Sequence, residues 1–236
     1  MTQLLYQTDS YLQEFDATVT AVDAEQHGVY LDRTAFYPGG GGQPNDTGTL
    51  TAGDKTYTVS AVKRGNLHSI DGDELPTVGT AVHGVVDWEH RYKLMRTHTA
   101  MHILCGVVWR DYGASVTGGN MEPLQGRMDF EFERLQKDLV QEIEAKINAE
   151  VAAARPTRVQ ILPRDKAFEI PDLIRTKINL LPEGITEVRT VEIVGLDLQA
   201  DGGTHVANTS EVGRIRISDY KSKGGINKRI YIELAD

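Results

Sequence analysis

His98 and His102 stand four residues apart in the stretch RTHTAMHILC, residues 96–105. On a helix that spacing places two imidazoles on one face, one turn apart, within reach of a single metal ion. Met95, Cys105 and Trp109 continue the same stripe, so the pair points toward an interior or a cleft rather than bulk water. Spacing alone leaves two readings open: a metal pair, or two histidines whose hydrogen bonds are satisfied inside a core. The residue after His98 is Thr99, not the glutamate that serves as general base in HExxH metalloproteases, and proteolysis by that route is disfavoured. Cys105 lies nearly two turns from His98, about 10 Å along the axis, and reads as a buried apolar thiol.

Downstream, the segment DGGTH holds Asp201 and His205, again four apart but on a glycine-rich stretch between strands. Such a stretch can bend toward a helix. Joined to His98 and His102 it would offer imidazoles and a carboxylate, a donor set for which zinc is the first choice. Gly39, Gly40, Gly41 and Gly42 precede Gln43; four consecutive glycines are costly in chain entropy. They mark either a flexible hairpin tip or a place where bare amides must approach a ligand. Basic residues gather at Lys221, Lys223, Lys228 and Arg229, and Arg91, Lys93 and Arg96 lead into the histidines. They form either an ordinary solvated surface or a strip that follows phosphates.

These groups need elements to carry them. Residues 15–86 alternate apolar and polar positions in FDATVTAV, GVYLD, TYTVSAV and TAVHGVVD, with Gly, Asn and Asp turns between, which predicts a small barrel or sandwich. Asp87 is a competent N-cap, and a long helix is predicted from there to Gly113, making residues 1–87 and 88–236 the expected domains. Phe132, Leu135, Leu139, Ile143, Ile147 and Val151 recur every three or four residues and predict a second helix that packs one face on a sheet. Strands at TRVQILP, EVRTVEIVG, GRIRISDY and NKRIYIELA, with a short helix around Arg164 to Phe168, complete the reading. Strands and helices are segregated, so the class expected is α+β.

With 236 residues the chain is long enough for one large domain or two modest ones. Lys and Arg number 25 against 34 Asp and Glu, a net charge of −9, so bulk charge gives no hint of nucleic acid and any RNA contact must rest on a local patch. One cysteine excludes an intramolecular disulfide and a Cys-only zinc cluster. The start MTQLLYQTDSYLQEF lacks the features of a signal peptide, and no segment has the apolar length for a membrane span, so a soluble cytoplasmic protein with no membrane role is expected.

Taken in order, RTHTAMH, then GGTHV and TSEVG, resemble the editing domain of alanyl-tRNA synthetase and the free-standing AlaX alanyl-tRNA editing proteins. TAFYPGGGGQPNDTG, residues 34–48, is similar to the glycine-rich motif of the medium-length AlaX class, and SKGGINKRI, residues 222–230, to that family's C-terminal basic segment. The resemblance implies a β-barrel domain followed by an α+β editing domain with helices on an antiparallel sheet, one zinc ion per chain, and hydrolysis of Ser-tRNA(Ala) and also Gly-tRNA(Ala). It implies metal ligation by His98, His102 and His205, and a glycine-rich motif that faces the editing cleft. Asp201 departs from the commonest family pattern, which has cysteine there. A carboxylate is a harder ligand that donates less charge than a thiolate, and direct or water-bridged coordination by Asp201 is the favoured expectation.

The reaction expected is attack of water on the ester carbonyl, with the ribose hydroxyl leaving and no Ser or Cys nucleophile. His98, His102 and Gln43 are the catalytic candidates. Gly39 to Gln43, Arg96, Lys221, Lys223, Lys228 and Arg229 are the tRNA-binding candidates, and no obligate protein partner is expected. Two rivals remain: a tRNA- or RNA-binding module with a structural metal, and a general metal-dependent esterase.

Overall fold

The computed structural model describes residues 2–174 and 184–235. Contacts divide the chain into two compact units, Met1–Lys93 and Leu94–Asp236.

The first unit is built on β1 (Gln3–Leu4), β2 (Glu14–Asp23), β3 (Gly28–Leu31), β4 (Arg33–Thr34), β5 (Gly48–Ala52), β6 (Lys55–Lys63), β7 (Leu67–Ile70) and β8 (Ala81–Val86). Six of these close into an antiparallel barrel in the order β2-β3-β7-β6-β5-β8. That resolves the sequence-based choice between barrel and sandwich. Strand alternation turns Phe15, Ala17 and Val19 inward while Glu14, Asp16 and Thr18 face out. Val29, Leu31, Phe36, Leu50, Val59 and Val82 fill the interior from the other strands and the segment after β4.

Helix α1 (Trp88–Tyr112) starts after Asp87, whose carboxylate accepts the His90 amide at 3.2 Å. Its length matches the prediction, and the unit boundary falls within it. The second unit adds β9 (Val116–Glu122), β10 (Gln125–Glu131), α2 (Lys137–Ala152), β11 (Thr157–Pro163), α3 (Arg164–Phe168), β12 (Glu187–Ile193), β13 (Asp197–Ala200), β14 (Ile215–Ser222) and β15 (Asn227–Leu234). Its strands make two antiparallel sheets, β14-β15-β10-β9 and β11-β12-β13.

From Ala100 through Val108 every α1 residue is buried, as expected of a helix covered on opposite sides. Met101 lies against Gly119 and Gly126 of the four-stranded sheet, and Gly106 lies against Leu196 and Asp197 at the start of β13. Helix α2 buries Val140, Ile143 and Ile147 and packs along β14. There it also satisfies an edge strand: Asn148 exchanges hydrogen bonds with the Ile215 backbone, and Glu144 accepts the Ile217 amide.

Two sequence expectations are corrected here. Phe132 and Leu135 precede α2, which begins at Lys137; Phe132 is buried beyond the end of β10 instead. Strand β13 runs directly into the glycine-rich stretch at Asp201, where the sequence predicts no strand between EVRTVEIVG and GRIRISDY. The hairpin β9–β10 had no sequence assignment.

Candidate metal centre

Helix α1 carries His98 and His102 inward on successive turns, 4 % and 7 % exposed. The segment after β13 brings Asp201 and His205, 3 % exposed, to the same place. One ligand-capable atom from each of these four residues lies within 4.8 Å of all the others. Asp201 Oδ1 is 3.6 Å from His98 Nε2, and Asp201 Oδ2 is 2.9 Å from His205 Nε2. The rings of His98 and His205 stack with centroids 4.2 Å apart, while His102 meets each of them edge-on.

Two anchors hold the Asp201 end. The Gly203 amide donates to Asp201 Oδ2 at 2.9 Å, an Asx-type turn that the two following glycines accommodate. Arg189 on β12 donates Nη1 to the Asp201 carbonyl at 2.9 Å, and that same nitrogen lies 3.8 Å from the carboxylate. Thr99, the residue in place of the HExxH glutamate, puts Oγ1 3.2 Å from His205 Nδ1 and accepts the Val206 amide at 3.2 Å. Asp197 at the head of β13 puts Oδ2 3.1 Å from His102 Nδ1 and accepts Gln199 Nε2 at 2.6 Å.

Burial sets the charge states. It pulls His98 well below the usual imidazole value, and it pulls His205 down to about 4 against the Asp201 hydrogen bond. At Asp201 burial alone would raise the carboxyl, but the facing His98 and His205 outweigh it and hold the group well below the usual carboxylate range. His102 is also depressed by burial, yet the Asp197 hydrogen bond and charge leave it raised overall. Neutral imidazole nitrogens and an ionised carboxylate oxygen converging in a buried cleft form a donor set suited to a borderline divalent cation such as zinc. Cys105 is apart from this set; its sulfur lies 3.3 Å from Gln199 Nε2.

In the first unit Gly40 and Gln43 exchange main-chain hydrogen bonds of 3.0 and 2.9 Å around an exposed tip at Gly40 and Gly41, and Gln43 is buried. In the second unit Arg96 donates to the carbonyls of Val212 and Ala235. Lys228 is buried and donates to the Gly225 carbonyl at 2.5 Å. Arg229 forms a two-pronged pair with Asp129 at 2.6 and 2.7 Å. Lys221 and Lys223 are exposed, the former over the Tyr231 ring at 4.7 Å. Thr99, Arg189, Asp197 and Gln199 had no site role from sequence. Asp197 could have been flagged only by lying four residues before Asp201 in the segment already under suspicion.

Residues 6–90 match the model for class II (A) tRNA synthetases, and residues 188–231, which include Asp201 and His205, match that for the threonyl and alanyl tRNA synthetase second additional domain. The chain is 41 % identical over 98 % of both lengths to the alanyl-tRNA editing protein AlaX-M of Saccharolobus solfataricus. It is 38 % identical, over the whole of both chains, to AlaX-M of Methanosarcina barkeri. An alanine–tRNA ligase from Ignicoccus hospitalis matches 95 % of this chain at 37 % identity, using 25 % of its own length. With the two AlaX-M relatives matched over 98 % or more of both chains, the chain belongs to the AlaX-M family of alanyl-tRNA editing proteins.

Proposed function

We propose that this chain removes serine, and also glycine, from wrongly charged tRNA(Ala) by ester hydrolysis at a zinc centre held by His98, His102 and His205, with Asp201 joining directly or across a water. The broader statement, that it is an aminoacyl-tRNA editing hydrolase acting on mischarged tRNA(Ala), follows from its family. The observation that carries the finer reading is the convergence of His98 and His102 from α1 with Asp201 and His205 from a segment about a hundred residues later. A buried group of this composition, with its carboxylate ionised and two imidazoles held neutral, would be expensive to assemble for packing alone.

When bound, the zinc ion supplies Lewis acidity to an ester carbonyl or to a water. The residues of the chain do the rest. Burial of the three histidines, with Asp201 at the partly open edge, limits access of bulk water and strengthens each charge–dipole contact with the substrate. Asp201 supplies the negative charge that a thiolate supplies in the commoner pattern, and Arg189 with the Gly203 amide holds it in place. Lys221 and Lys223 meet tRNA phosphates, and the bare amides of Gly39 to Gly42 approach the RNA. Arg96, Lys228 and Arg229 support this by fixing the segments around them. Such a protein works where tRNA is charged, in the cytoplasm; no helix among the described residues is long and apolar enough to cross a membrane.

The test is deacylation of Ser-tRNA(Ala), Gly-tRNA(Ala) and Ala-tRNA(Ala) side by side, with zinc content assayed and a chelator arm. Expected is loss of serine and glycine with alanine spared, abolished by the chelator and restored by zinc. A folded, zinc-loaded sample that binds tRNA without turnover would overturn the reading in favour of a binding module. Turnover of a simple ester at a comparable rate without tRNA would favour a general esterase.

A further inference from the structure

We infer that Asp197 and Thr99 are the positioning residues of the zinc centre: each occupies the Nδ1 side of one histidine and so presents that ring's Nε2 to the metal. This rests on the zinc reading above and deepens it.

At His102 the neighbouring carboxylate decides which ring nitrogen carries the proton. Carboxylate oxygens only accept, and Asp197 Oδ2 stands 3.1 Å from His102 Nδ1. The ring proton is therefore on Nδ1, and in the neutral ring the lone pair is on Nε2. Asp197 is itself fixed, because Gln199 donates to the same oxygen at 2.6 Å and the side chain is fully buried at the head of β13. A carboxyl group at that depth is costly unless its oxygens are hydrogen-bonded, and His102 and Gln199 meet that need at Oδ2.

Thr99 does the matching work for His205. Its Oγ1 lies 3.2 Å from Nδ1 and is held on the other side by the Val206 amide, so the hydroxyl is locked between α1 and the segment that carries His205. Without metal, His205 Nε2 donates to Asp201 Oδ2 at 2.9 Å and Nδ1 accepts from Thr99; a metal that takes the Nε2 lone pair would leave the ring proton on Nδ1, with Thr99 Oγ1 as its acceptor. The position that proteases of the HExxH type give to a catalytic glutamate here carries a group that orients a ligand. The centre thus has two carboxylates, Asp201 facing the metal and Asp197 behind His102. The second raises the basicity of its imidazole, which suits a site in which a carboxylate replaces a thiolate.

Zinc affinity, measured by competition with a chromophoric chelator at constant pH, separates this role from a structural one. Asp197→Ala should weaken binding by about 10- to 100-fold, and Asp197→Asn, which keeps an acceptor and loses the charge, by less. Thr99→Val should weaken it by about tenfold, while Thr99→Ser restores it. Melting of the metal-free forms, and cobalt spectra of the loaded ones, show whether the variants are folded with the same ligand set. Unchanged affinity in folded Asp197→Ala and Thr99→Val would overturn the inference and leave the zinc centre standing. A loss for Asp197→Ala as complete as for His98→Ala would make Asp197 a ligand and also overturn it. Failure of the unsubstituted chain to bind zinc would overturn the metal reading and this inference with it.

Discussion

Arg91 and Asp46 form an ion pair with no solvent exposure on either side chain, Arg91 Nε lying 2.8 Å from Asp46 Oδ1. The same guanidinium donates to the carbonyls of Ser10 and Ala35, and Asp46 accepts the Tyr37 amide. One buried pair therefore ties the chain entering the barrel, the strand leading to the glycine turn and the first turn of α1. Removing either partner strands the other charge in the interior, which costs roughly 3–5 kcal/mol. Asp46→Ala and Arg91→Ala should each show that loss in urea unfolding, and the double variant should lose much less than their sum. Single-variant losses near zero would contradict the assignment.

His68 lies in the barrel wall with no exposure, Nε2 2.8 Å from Thr34 Oγ1 and Nδ1 3.2 Å from the Val29 carbonyl. Burial lowers it to about 4 from an ordinary 6.5, outweighing the backbone contacts that raise it. The unfolded chain takes up this proton near pH 6.5 and the folded chain only near 4. Stability from keeping the ring neutral is thus whole above pH 6.5 and is lost as pH falls toward 4, about 3 kcal/mol over the window. Melting temperature should fall less between pH 7 and pH 5 in His68→Gln than in the parent chain. The difference isolates His68, because the other histidines titrate in both; identical slopes would refute it.

Residue type and local spacing carried the legible part. The barrel strands, α1, α3 and the four ligand candidates follow from period, capping and the two His-containing segments. What stayed hidden depends on partners far away in the chain. Asp197 and His102 are 95 positions apart and meet only once β13 is laid beside α1. By sequence Arg91 belongs to a basic strip, yet its partner Asp46 is 45 positions away and draws it fully inside. The β9–β10 hairpin escaped because its buried positions in β9, Val116 and Met121, are five apart across Gly118 and Gly119, out of step with strict alternation, and only Met128 and Phe130 of β10 keep the period of two. The helical period at Phe132 and Leu135 was overridden by the hairpin's exit.

Gly106 sits mid-helix in α1, where alanine would ordinarily be favoured by roughly 0.5–1 kcal/mol. A Cβ there would stand 2.9 Å from Leu196 Cγ, 3.0 Å from Asp197 Cβ and 3.2 Å from the Leu196 carbonyl. The close approach of helix and strand that sets the Asp197–His102 contact depends on that missing carbon. Gly106→Ala should therefore destabilise by about 1–3 kcal/mol despite its helical preference, and it should weaken zinc uptake as well. A gain in melting temperature would show that the contact yields freely.

Gly41 tests whether the glycine turn is a hairpin tip or an RNA contact. Its φ is +58°, and a Cβ would meet nothing within 4 Å. Asparagine tolerates that conformation better than other side chains, so Gly41→Asn should cost about 1 kcal/mol or less in stability. Gly39 differs: its φ is +77° and a Cβ would lie 3.1 Å from the Asn45 amide nitrogen, so Gly39→Ala is strained by backbone and neighbour together. If the amides approach the acceptor end of tRNA, an asparagine side chain at 41 intrudes on that approach. The value of kcat/KM for Ser-tRNA(Ala) should then fall about tenfold or more, equivalent to roughly 1.4 kcal/mol, with the melting temperature nearly unchanged. Full turnover by a folded Gly41→Asn chain would reduce the turn to a means of reversing direction between Tyr37 and Asp46.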